Sequence, residues 1–94
     1  MDTSKKSNAD KVISYTKHAE DRMIDRGISQ QEVEAALLHP IKEKPAQNGR
    51  RESQSWVVRS GRRKLLRVVS EGELNILVIT VIATSKLEKY GVSE

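Results

Sequence analysis

Apolar residues along this chain change period once, near Ile41: helical spacing before it, strand-like alternation and runs after it. Residues 1–11 are polar and predict a disordered lead-in, with one domain over residues 12–90. Lys11–Tyr15 favours an extended entry. Thr16 is a suitable N-cap for a helix from Lys17 that stops where Gly27 takes the left-handed position after the last turn. Ile28 then closes onto Met23, and Ala19 and Met23, with Tyr15 just before them, form the buried stripe. Ser29-Gln-Gln-Glu32 is a capping box opening a second helix at once, with Val33, Ala36, Leu37 and Leu38 as its apolar side and Pro40 as its stop.

Beyond Ile41 the signals are those of strands. Ile41–Pro45 predicts an edge strand and Ala46–Gly49 a turn. Strands over 54–59, 63–70 and 73–83 follow, joined at Ser60-Gly61 and Glu71-Gly72 as an antiparallel meander. The last is apolar at nearly every position. Strict alternation puts Leu74, Ile76, Val78 and Ile82 on one side and Leu77, Ile79, Val81 and Ala83 on the other. A strand apolar on both sides is central in its sheet, or has one face covered by another chain. Lys86–Tyr90 could add a short terminal helix. The fold class is α+β: two short N-terminal helices packed on a three- to four-stranded antiparallel sheet.

Composition narrows the classes. Ninety-four residues make one small domain, and the absence of cysteine excludes disulfides and thiolate zinc sites and suits a reducing cytoplasm. No apolar run approaches the roughly eighteen residues of a membrane span, so no membrane partner is expected. Two Tyr, one Trp and no Phe leave few stacking platforms for single-stranded RNA. The net charge of +4 is uneven: residues 50–67 hold Arg50, Arg51, Arg59, Arg62, Arg63, Lys64 and Arg67 against Glu52 alone, a local balance of +6. Such a cluster is an electrostatic footprint for nucleic acid, or else a charged edge that resists aggregation.

The first helix carries a second cationic feature. His18, Arg22 and Arg26 fall four apart on one row, and Asp21 and Asp25 on another, so i,i+4 neighbours are like-charged. Lys17 with Asp21 and Arg22 with Asp25 recover part of that cost. A row kept against local electrostatics suggests an anionic ligand, although a solvated helix face reads the same way. His18 is the natural acid or base, whereas His39 at a helix end suits the helix dipole. The two histidines lack metal-ligand spacing, so neither metal nor cofactor is expected. Thr80 interrupts the apolar strand with a hydroxyl that can reach a phosphate or bond within the sheet.

The segment His18-Ala-Glu-Asp-Arg22-Met-Ile-Asp-Arg26-Gly-Ile-Ser29, the helix at Glu32-Val33, Pro40 and the late strand Leu77-Val-Ile-Thr80-Val resemble the bacterial domain of unknown function 4258 over roughly residues 13–84. That family in turn resembles the RelE/BrnT-like toxins of the barnase-like ribonuclease superfamily. The resemblance implies helices first, a curved antiparallel sheet bearing the site, and His18, Arg22, Arg26 and Thr80 as catalytic positions. The implied activity is metal-independent RNA cleavage, as the toxin of a toxin–antitoxin pair. Its partners are RNA and an antitoxin protein, or a second copy against the apolar sheet face. The alternatives are a non-catalytic nucleic-acid-binding module and a protein-interaction domain. A single site requires His18 and the Arg cluster to lie close in space.

Overall fold

A computed structural model describes residues 11–85. Strand β1 (Val12–Tyr15) leads into α1 (Lys17–Arg26) and α2 (Gln30–Leu38), followed by β2 (Lys42–Pro45), β3 (Arg51–Arg59), β4 (Arg62–Glu71) and β5 (Asn75–Thr84). The expected lead-in lies almost entirely, and the expected terminal helix wholly, outside these residues.

Both helices begin and end for local reasons. The Thr16 hydroxyl accepts from the Ala19 N–H at 3.0 Å and donates to the Ile79 carbonyl at 2.9 Å, so one residue caps α1 and ties it to β5. Gly27 ends α1 at φ 66°, ψ 34°, with its N–H on Ile24 O and the Ile28 N–H on Met23 O, a Schellman ending. The capping box of α2 is complete, Ser29 and Glu32 each accepting from the other's backbone. Arg59 secures this corner from β3, donating to the Gly27 carbonyl at 2.7 Å and to the Glu32 carboxylate.

The sheet has five strands in the order β1-β5-β4-β3-β2 and is mixed, not wholly antiparallel. The meander from β2 to β5 is antiparallel, and β1 adds in parallel to β5, Tyr15 opposite Val78. Tight-turn signals reveal hairpins; a parallel pair joins segments some sixty residues apart and leaves no local mark. β5 is therefore interior, as its apolar sequence predicts, between β1 and β4.

Its two faces differ from strict alternation. Ser70 pairs with Val78 but Val69 pairs with Thr80, so Ile79 is an extra residue in a bulge. The bulge reverses the parity of β5. Ile76 and Val78 share the core with Val81 and Ala83, not with Ile82. The core face meets α1 and α2 through Ala19, Met23, Val33, Ala36 and Leu37 against Val57, Leu66 and Val68. On the far face, Arg67 donates to both oxygens of Glu52, Nε at 2.8 Å and Nη2 at 2.9 Å, and Gln54 Nε2 adds a third bond at 2.7 Å.

Candidate active site

The bulge and the Thr16 tether together create the site. By holding the first turn of α1 on β5, Thr16 sets His18 beside the strand, and the extra residue at Ile79 resets the position of Thr80. His18 Nε2 and Thr80 Oγ1 lie 3.0 Å apart, sixty-two residues distant in sequence. This bond holds the ring and couples its tautomer to the hydroxyl: an imidazole that donates its Nε2–H to Thr80 Oγ1 keeps Nδ1 free to accept a proton.

One turn further along α1, Arg22 lines an open groove with His18, Asp21, Ile24 and Asp25. Its Nε is buried without a hydrogen-bond partner. A buried guanidinium donor left unpaired costs free energy that an incoming anion can recover. Lys17 pairs with Asp21 at 3.4 Å, on strongly exposed side chains, and Arg22 forms no ion pair with Asp25 among the described residues. Ile24 is 81% exposed, an unusual position for a large aliphatic side chain. Arg26 is exposed at the end of α1 and does not line the groove. His18 thus shares the groove with Arg22 and bonds Thr80 on β5; Arg26 stands apart.

The basic cluster divides by what each cation already does. Arg50 pairs with Glu71 at 3.1 Å, and Arg51 bonds the Gly72 carbonyl at 2.8 Å with Glu43 and Glu73 nearby. Arg59 clamps the helix corner and Arg67 serves Glu52. In both carboxylates the hydrogen bond from arginine is the main cause that holds the pKa below its ordinary range, working against burial. Glu32 in turn holds Arg59 further toward its charged form. Arg63 lies over the Trp56 ring, 4.2 Å from its centroid. Arg62 and Lys64 form no ion pair among the described residues, so the cations turned to solvent gather at the β3–β4 tip.

That tip is remote from His18. Thr80 pairs with Val69, and Arg62–Lys64 lie five to seven residues further along β4, which at ~3.3 Å per residue is about 17–23 Å. One compact site uniting His18 with the tip is therefore not formed. The sequence offered no signal for the bulge or for the Trp56–Arg63 stack; the Glu52–Arg67 and Glu32–Arg59 pairs were hidden because each partner lies in another element.

Among the described residues no group of three or more His, Cys, Asp or Glu is placed to hold a metal ion. No helix of the described residues is long and apolar enough to cross a membrane. A family model described as "Domain of unknown function (DUF4258)" matches residues 15–83, which include both helices, the groove and all but the last residue of β5. No curated protein and no solved structure matches the chain significantly.

Proposed function

The chain belongs to the family of the domain of unknown function DUF4258, and from that premise we propose that it is a RelE-like endoribonuclease acting without a metal at the α1 groove, where Thr80 of β5 holds His18, as the toxin of a toxin–antitoxin pair. The observation that carries this reading is the conjunction of a histidine held by Thr80 with an arginine donor that lacks a partner one turn away. Cleavage of RNA by its own 2′-hydroxyl needs a base for that proton, a cation on the phosphoryl oxygens and a proton for the leaving 5′-oxygen. His18 accepts the 2′-proton as the 2′-oxygen bonds to phosphorus. Arg22 neutralises the developing charge. The P–O5′ bond breaks, the 5′-oxygen takes a proton from the imidazolium or from water, and a 2′,3′-cyclic phosphate remains. Thr80 positions the ring; Arg26 and the β3–β4 tip hold more distant phosphates.

A second reading is a protein-interaction domain, favoured by the exposed Ile24 and the Asp21/Asp25 row in the same groove. A mixed RNA incubated with wild type, His18→Ala and Arg22→Ala separates the two. The ribonuclease reading expects His18→Ala to bind RNA like wild type but to lose cleavage by about 10²–10⁴-fold, the usual weight of a general acid–base group. Arg22→Ala should weaken both. Intact RNA with all three proteins overturns the enzymatic reading.

A further inference from the structure

The β3–β4 tip combines three features that the groove does not use. Arg63 lies over Trp56, on the side of the sheet away from the helices, and the exposed Val58 stands opposite Arg63 in the register. Arg62 and Lys64 flank Arg63 and point to the other side of the sheet, with no ion pair among the described residues. Residues 53–69 contain no Asp or Glu, so no local carboxylate competes for these cations. A planar cation supported on an aromatic ring on one side of the hairpin end, with two cations on the other side, complements a strand that wraps the tip and alternates planar and anionic groups.

We propose that the tip binds single-stranded RNA that passes around the hairpin end, an unpaired base stacking on the outer face of the Arg63 guanidinium on one side of the sheet while Arg62 and Lys64 meet phosphates of the same strand on the other. Bases stack on arginine planes as they do on aromatic rings, and the Trp56 ring beneath restrains Arg63 before the ligand arrives. A duplex hides its base faces within the helix, and an acidic protein offers charge without a stacking partner. The tip thus selects unpaired nucleotides about 17–23 Å along the sheet from the register position of Thr80, the residue that holds His18. This inference rests on RNA being the substrate of the groove, and it names the form of that RNA.

Trp56 is the chain's sole tryptophan and reports the site directly. The experiment titrates the full chain, as His18→Ala to prevent cleavage, with a mixed single-stranded RNA 12-mer, its duplex and poly-glutamate, following Trp56 emission. A saturable change with the single strand, absent with the other two, is expected. Arg63→Lys keeps the charge but removes the plane; it should weaken binding by at least about fivefold while preserving the salt dependence. Arg62→Ala should instead flatten the log–log salt slope by about 0.7. Unchanged emission with the single strand, an equal response to duplex or poly-glutamate, or Arg63→Lys binding like wild type overturns the proposal. Cleavage by the wild type with a silent Trp56 refutes the tip alone. A Trp56 response without cleavage by the wild type refutes the groove alone.

Discussion

Replacing Arg67 by Met tests whether the basic cluster is partly internal to the fold. The Glu52 side chain is 6% exposed and that of Arg67 16%, and Arg67 supplies two of the three hydrogen bonds to the carboxylate. Met fills much of the same volume but leaves Glu52 with Gln54 as its remaining donor among these. Removing one member of a buried pair costs about 3–5 kcal/mol, a large part of the ~5–15 kcal/mol that holds a domain. The melting temperature should fall by about 12 °C or more.

The pH dependence of this loss has a definite sign. Arg67 holds the Glu52 carboxyl below its ordinary value, so the wild-type contribution is present above the unfolded value of about 4.3 and disappears as pH falls through the lower folded value. In Arg67→Met the largest lowering influence is gone while burial still raises that carboxyl against the Gln54 hydrogen bond and Lys44, so it takes up a proton sooner than in wild type. The deficit of the variant is therefore largest near neutrality and shrinks toward about pH 4. Urea unfolding followed by Trp56 emission measures it, and Glu52→Gln in the same chain should restore much of the loss. A variant within ~1 kcal/mol of wild type at neutral pH, or a deficit that does not change with pH, refutes the reasoning.

Thr80→Val keeps the shape of the side chain but frees the His18 ring; cleavage should fall about 10- to 100-fold in a single-turnover assay while thermal unfolding barely moves. Glu32→Gln should remove the acid-side loss of stability at the helix corner: the wild-type contribution, present above the usual carboxylate range, vanishes as pH falls through the depressed folded value, and comparison of the two unfolding–pH profiles reads it. Gly27→Ala forces a side chain into φ +66° in open space, so about 1 kcal/mol of backbone strain and no steric clash is expected in urea titrations.

Both helices were legible because their boundaries are set by residues within a few positions of each other: Thr16 and Gly27 for α1, Ser29, Glu32 and Pro40 for α2. The meander was legible for the same reason, through the turns at Ser60-Gly61 and Glu71-Gly72. β1 was legible as extended but not as a parallel neighbour of β5, since only tertiary packing brings Tyr15 to Val78. The faces of β5 were misread because a run of aliphatic residues hides where alternation slips, and the slip at Ile79 is settled by pairing with β4. In the site, the His18–Arg22 row follows from helical period alone. Thr80 was singled out as the hydroxyl in an apolar strand, but its approach to His18 depends on the bulge. Cation counting along residues 50–67 overstated the free surface, because Arg50, Arg51, Arg59 and Arg67 find carboxylates or carbonyls in other elements.

The central claim is that His18 cleaves RNA through the substrate's own 2′-hydroxyl. The most direct measurement incubates a mixed RNA with wild type and His18→Ala in excess chelator and analyses the new 3′ ends. The account predicts 2′,3′-cyclic phosphate ends from wild type and none from His18→Ala, with both proteins equally folded and equally bound to the RNA. Intact RNA with the wild type, or the same ends at the same rate from His18→Ala, contradicts it.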